Sequence, residues 1–242
     1  MSVNTLFTKD NLDTYLKELS KVFKKLNGKK MPAEIILIGG ASILANYGFR
    51  ETTYDIDAVI MASSVIKEAI DIVGEKFGLP IGWLNMDFKN TKSYSKKLNE
   101  VSVHYKTFSN ILTVRTIAAE YLIAMKLMAG RKYKYDISDI AGILLEHQKN
   151  GNPITQEAVN KAVITLYGSW ENISPDSKKL IDMAFTYNDY ETLYIQNRNN
   201  EIIAMEIITE FNKNYPDKLK SENINSIIEQ ARLKLGKENK LV

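Results

Sequence analysis

"IGGASILANYGFRETTYDIDAVI", residues 38–60, decides how this chain is read. An apolar run meets a Gly pair, a short apolar stretch follows, and two Asp residues then interrupt what otherwise reads as a buried strand. Asp55 and Asp57 stand at i and i+2, so on a strand they share one face, with Cα atoms roughly 6.5–7 Å apart. At that spacing two carboxylates converge on one divalent cation, or each takes one of a pair of ions. Without a cation they repel each other and are partly desolvated, a poor way to build a core. The plainer alternative is that the strand begins at the surface and both Asp residues are simply hydrated.

Upstream, "EIILI" (34–38) is a short β-rich run, and "ASILANY" gives one or two helical turns stopped by Gly48. Gly39 and Gly40 sit at that strand-to-helix junction. Lacking Cβ atoms, they allow a phosphate chain to come close, and the backbone N–H groups opening the helix can point at an anion. Ser42 adds a hydroxyl in the first turn. A plain strand–turn–helix junction has the same local sequence. Neither G-x-x-x-x-G-K-[ST] nor G-x-G-x-x-G occurs, which excludes a P-loop and a Rossmann dinucleotide site.

Further outward, apolar spacing predicts a helix over 9–27 closed by Gly28, an amphipathic helix over 64–77 ending near Gly78, and short strands at 101–106 and 111–115 joined by "TFSN". From Thr116 the character changes. Residues 117–129 are strongly helical and capped by Gly130, and helical patterns continue at 137–148, 155–167, 175–186, 199–213 and 222–235. The expectation is an α+β fold: a small mixed sheet with flanking helices over 1–115, followed by an all-helical part over 116–242.

The 242 residues contain no Cys and only two His, His104 and His147, so thiolate chemistry is excluded and a zinc site is disfavoured. Any metal is then a hard cation held by carboxylates. The absence of Cys fits a reducing, cytoplasmic setting, and neither a signal peptide nor a membrane-spanning run is read. A net charge of +3 decides no partner by itself. Its distribution is uneven: "KNTKSYSKK" (89–97) and "GRKYKY" (130–135) interleave Lys with Tyr, either as solvated basic faces or as surfaces for nucleic acid.

"ILIGGAS" followed by "DIDAVI" resembles the nucleotidyltransferase superfamily, the fold shared with DNA polymerase beta. The spelling "GFRETTYDID" is most similar to bacterial nucleotidyltransferases of the abortive-infection and toxin–antitoxin kind. "EYLIAMKLMAGRKYKYDISDIAGIL" (120–144) resembles the lysine-containing helix and acidic segment of the same proteins. The resemblance implies that Asp55 and Asp57 hold Mg²⁺ or Mn²⁺ and that Gly39, Gly40, Ser42 and Thr53 bind the nucleotide. It also implies that Lys126 and Arg131 approach its phosphates. Many members supply a third carboxylate, for which Asp87 in "GWLNMDF" (82–88) is the candidate. Asp136 and Asp139 fit either a site role or an N-cap and N3 carboxylate opening the next helix.

The function so implied is transfer of a nucleoside monophosphate from an NTP to an acceptor, an RNA such as a tRNA 3′ end first among them, with a cognate antitoxin as a partner and no membrane. A protein hydroxyl, or a small molecule such as an aminoglycoside, is an alternative acceptor. A nucleotide-binding or interaction module that keeps the fold without strong catalysis is the alternative class.

Overall fold

The computed structural model describes residues 6–27, 31–220 and 222–238. Helix α1 (Lys9–Leu26) leads into strand β1 (Ala33–Leu37), helix α2 (Gly39–Asn46), strand β2 (Ile56–Met61) and helix α3 (Ile66–Phe77). Strand β3 (Leu84–Asn85), β4 (Ser102–Phe108) and β5 (Leu112–Ile117) complete the sheet. Helices α4 (Ala119–Ala129), α5 (Asp136–Lys149), α6 (Gln156–Tyr167), α7 (Pro175–Tyr187), α8 (Tyr190–Asn214) and α9 (Ile224–Glu238) follow. This is the mixed α and β architecture expected, with the strands before residue 118 and helices after it. None of the described helices is long and apolar enough to cross a membrane.

The sheet order is β3-β2-β1-β5-β4. β1 pairs antiparallel with β2 and parallel with β5, so the strand that ends in the Gly pair lies at the centre. Its side chains alternate between two cores. Ile35 and Leu37 join the cluster built on α1 and α3, while Ile36 and Ile38 join the one built on α4 to α7. A strand covered on both faces reads as a continuous apolar run, which is why "EIILI" shows no polar alternation. On β2, Ile56 and Ala58 face α1 and α3, so Asp57 between them faces α4. The α4-side core takes residues from both sides of position 116: Ile36, Ile38 and Ile43 pack with Leu122, Met125 and Ile140.

Local signals set most boundaries. Gly78 and Gly130 close α3 and α4 in the left-handed conformation, and Ser109–Asn110, both with positive φ, turn the β4–β5 hairpin. Gly28, expected to close α1, lies outside the described residues, and Asn27 caps that helix. One expectation differs. α8 begins at Tyr190 rather than near residue 199, because Asp189 caps it by accepting a hydrogen bond from the Thr192 N–H. The segment 82–88, only weakly strand-like in sequence, forms two strand residues before a 3-10 turn over Asp87–Asn90.

Candidate active site

A cleft of about 520 Å³ opens where the β1–α2 junction, the start of β2 and the α4–α5 connection meet. Gly39, Gly40, Thr53, Asp55, Asp57 and Lys126 line it, and so does Arg131. Seven residues singled out from the sequence therefore share one cavity, although they span nearly 100 positions of chain.

Each is placed for a local reason. Gly39 has φ +53° at the exit of β1, a conformation that side chains rarely adopt. Gly40 is required by close packing: a Cβ there would lie 2.7 Å from Thr53 Oγ1 and 2.9 Å from an Arg50 guanidinium nitrogen. Thr53 is fixed by paired backbone hydrogen bonds with Phe7 and donates its hydroxyl to the Asp55 carbonyl at 3.3 Å. The Asp57 carbonyl accepts from Ile38 N–H at 2.9 Å, tying the acidic pair to the end of β1.

The carboxylates of Asp55 and Asp57 have no hydrogen-bond or ion-pair partner among the described residues. Asp55 is exposed and Asp57 half-buried. Burial, and then the neighbouring charge of Asp55, push the Asp57 carboxyl up to about 6, against the opposing pull of Arg131. The two like charges thus stand close together in the cleft, offset at a distance by Arg131 and Lys134.

Behind it lies a buried ionic network. Lys126, 7% exposed, donates to Asp136 at 2.9 Å and lies 2.8 Å from an Asp139 oxygen. Arg131 donates to Asp136 through Nε at 2.8 Å and Nη2 at 3.1 Å, and through its own backbone N–H at 3.1 Å. Arg50 donates to Asp139 at 2.5 Å. Burial alone would push Lys126 down, but Asp136 and Asp139 outweigh it and hold the ammonium above its ordinary value. Burial likewise opposes ionisation of Asp136, but Lys126 and Arg131 keep its carboxyl well below the usual range.

Several sequence expectations need correction. Ser42 does not face the cleft: it is fully buried, and its hydroxyl accepts from the Ile117 N–H at 3.0 Å, fastening α2 to the end of β5. Asp87 opens the 3-10 turn and is exposed; it stands outside the cleft wall, yet its charge reaches Asp57 and adds to the upward push on that carboxyl. The residue that β3 sets beside Asp57 is Asn85, and no group of three acidic or His residues converges on a metal position among the described residues. Asp136 and Asp139 are not caps. Tyr135 occupies the N-cap of α5, and the α5 N–H groups of Ile137 and Ser138 donate to Glu201 of α8 instead, Ile137 at 2.8 Å.

Sequence reasoning missed Arg50 and Glu201, and marked Tyr135 only as part of the basic, Tyr-containing stretch 130–135. Arg50 lies inside the quoted "GFRETTYDID", and its place between Gly48 and the acidic pair was the available signal. Tyr135 lines the cleft with the Arg198 guanidinium 3.6 Å from its ring centroid and Arg50 at 5.4 Å. Glu201 is 2% exposed; burial pushes its carboxyl up to about 7, although the Ser138 and Ile137 hydrogen bonds oppose the shift. Nothing local marks it.

Compared with known protein families, residues 14–195 match the model of a family described as "Nucleotidyltransferase of unknown function (DUF6036)". The match covers well over half of the chain, and the chain belongs to that family. No curated protein and no solved structure matches it.

Proposed function

We propose that this member of a nucleotidyltransferase family is a metal-dependent enzyme that moves a nucleoside monophosphate from an NTP to an RNA acceptor. The observation that carries the reading is the unpartnered pair Asp55–Asp57 facing the Gly39–Gly40 turn across one cleft. Mg²⁺ fits this donor set, because it is commonly held by one or two carboxylates together with substrate phosphates rather than by an all-protein cage. Bound by Asp55 and Asp57, it would neutralise charge developing on the transferred phosphoryl group and lower the pKa of the attacking hydroxyl.

A charge count supports the same conclusion. Arg50, Lys92, Lys126, Arg131 and Lys134 line the cleft, against Asp55 and Asp57 in it and Asp136 and Asp139 directly behind. The carboxylates nearly cancel the cations, so a cation entering with the substrate would supply the positive charge that a triphosphate needs. Lys92 and Lys134 pair with no carboxylate among the described residues and are free to meet phosphate oxygens. Arg131 is held by Asp136 with its side chain 42% exposed, so it meets the phosphates in a fixed orientation. The Gly39–Gly40 backbone lets the phosphate chain come close. Catalysis then consists of positioning and electrostatics, as is usual for phosphoryl transfer.

The RNA acceptor rests on the exposed Lys residues of 89–97, of which Lys92 reaches the cleft, and on Tyr133 and Tyr135 in its wall. The likeness to toxin–antitoxin proteins adds a cognate antitoxin as a partner. The test is incubation with each labelled NTP, Mg²⁺ and total RNA. Labelled RNA and released pyrophosphate are expected from the wild type and not from Asp57→Asn. That no group of three acidic or His residues converges among the described residues favours one second reading, a nucleotide-binding module. Mg²⁺-dependent NTP binding without label on RNA, protein or aminoglycoside would establish that reading and overturn the first.

A further inference from the structure

One wall of the cleft differs from the rest. It is made by Tyr133, by Met205 of α8 and by Asn225 of α9, and the last two lie beyond residue 195, where the match to the family model ends. The wall is built by packing. Ala204, Ile224 and Ile228 form a small buried cluster that holds α8 and α9 together, and Tyr133 packs against it. The residues adjoining that cluster in sequence, Met205 and Asn225, are thereby presented to the cavity beside the Tyr133 ring. Its three side chains carry no fixed charge, although the cations Arg131 and Lys134, which flank Tyr133 in the chain, line the same cleft. Neither the Tyr133 phenol nor the Asn225 amide has a hydrogen-bond partner among the described residues, although the neighbouring Asn223 uses both ends of its amide locally.

We infer that this α8–α9 wall is the nucleobase subsite of the cleft and that Asn225 reads the base edge, with adenine as the base it fits. The inference rests on the nucleotide-binding reading above and deepens it. A thioether and an aromatic ring without a fixed charge suit a flat, weakly polar heterocycle and do not suit a phosphate. A planar amide presents one donor beside one acceptor, the pattern that pairs with the adenine N6/N7 edge. Guanine presents adjacent acceptors on the corresponding edge, for which a cation would be the better partner. The pyrimidines also offer a donor beside an acceptor but present a smaller face to the Tyr133 ring. The cleft volume of about 520 Å³ lies within the ordinary range for small-molecule pockets. Substrate preference would then reside in a segment outside the family-matched region, while the phosphate and metal positions lie inside it.

The experiment is titration calorimetry of the full chain in Mg²⁺ with ATP, GTP, CTP and UTP, and with inorganic tripolyphosphate as a probe that lacks a base. The wild type should bind ATP more tightly than the other nucleotides and more tightly than tripolyphosphate. Asn225→Ala should weaken ATP binding about tenfold, as expected on losing a bidentate base contact, and Met205→Ala should weaken all four nucleotides. Both variants should bind tripolyphosphate as the wild type does. Asn225 is exposed, so its replacement tests recognition without threatening the fold. Unchanged ATP affinity in Asn225→Ala, or equal loss of ATP and tripolyphosphate, would overturn the subsite. Wild-type protein that binds tripolyphosphate as well as any NTP would overturn it too, while leaving the phosphate site standing. Wild-type protein that binds neither would remove the nucleotide reading itself and this inference with it.

Discussion

Replacing Asp57 by Asn should make the apo protein more stable at neutral pH, and the gain should disappear in acid. Asp57 sits half-buried beside Asp55, with an ordinary carboxyl value of 3.8 raised to about 6 in the fold. A folded-state value above the unfolded one means that the native state holds its proton more tightly. The associated stability is therefore fully present below about pH 4 and is lost as pH rises through about 6. Each unit corresponds to about 1.36 kcal/mol, so the upper bound is about 3 kcal/mol. Partial solvent screening lowers that to roughly 1–2 kcal/mol. Asn has nearly the shape of protonated Asp and never ionises. Asp57→Asn should therefore match the wild type near pH 4 and exceed it by roughly 1–2 kcal/mol at pH 7.5, about 2–8 °C in Tm for a chain of this size. Thermal melts of both proteins across pH 4–8 without divalent ions measure the difference directly, and groups common to both cancel. Adding Mg²⁺ with NTP should reverse the order, because ligand linkage stabilises the protein that binds more tightly, and transfer activity should fall by roughly 10²–10³-fold or more. A pH-independent difference, or a variant less stable than the wild type at pH 7.5, would refute the picture of a strained acidic pair.

Lys126→Ala should cost roughly 3–5 kcal/mol in chemical denaturation, since it leaves Asp136 and Asp139 buried with one cation fewer; unchanged stability would show that the network is dispensable. Ser42→Ala removes the acceptor of a buried backbone N–H and should lower stability by about 1–3 kcal/mol while leaving the Kd for NTP unchanged, whereas a specific loss of NTP affinity would return Ser42 to the site. Gly40→Ala drives a methyl into Thr53 and Arg50, and an overpacking cost of about 1–3 kcal/mol should come with weakened NTP binding. Glu201→Gln should flatten the pH dependence of stability between about 4.5 and 7: the wild-type carboxyl is raised to about 7, so its contribution is present in acid and lost as pH rises through that window. A Glu201→Gln profile parallel to the wild type would contradict this.

What the sequence revealed and what it hid follow from the range of the interactions involved. The strand, the Gly pair and the D-x-D were legible because a short apolar run, a side-chain period of two and left-handed turns are local properties, and the Gly78 and Gly130 caps were legible for the same reason. The direction of Ser42 was not, because α2 is buried from Ala41 to Ala45 and so presents no polar face from which a side chain's heading can be read. α4 is buried continuously from Leu122 to Met128 and hides Lys126 in the same way. Arg50 reaches Asp139 across 89 positions, and Glu201 caps α5 from 64 positions away. No window-based pattern contains such pairs.

Lys126 shows why a lysine in an apolar helix is an ambiguous signal. Read alone, its position between Met125 and Leu127 suggests a ligand-binding cation, because an isolated buried ammonium costs several kcal/mol unless it is paired. The fold pairs it, with two carboxylates, one of which also anchors Arg131 and the other Arg50. Much of its charge is therefore spent inside the protein, and under the proposed function the phosphate oxygens fall to Arg131, Lys92 and Lys134 at the cleft. The network still serves the site by geometry. Asp136 and Asp139 stand on the first turn of α5, so holding them holds the connection from Gly130 to Tyr135, from which Arg131, Tyr133, Lys134 and Tyr135 enter the cleft. Substituting Lys126 by Arg keeps the charge but not the compact ammonium that reaches both carboxylates at 2.9 and 2.8 Å. That variant should fold with reduced stability and bind NTP less tightly through a displaced Arg131. Wild-type affinity in a clearly destabilised Lys126→Arg would show that the network supports the fold without positioning the site.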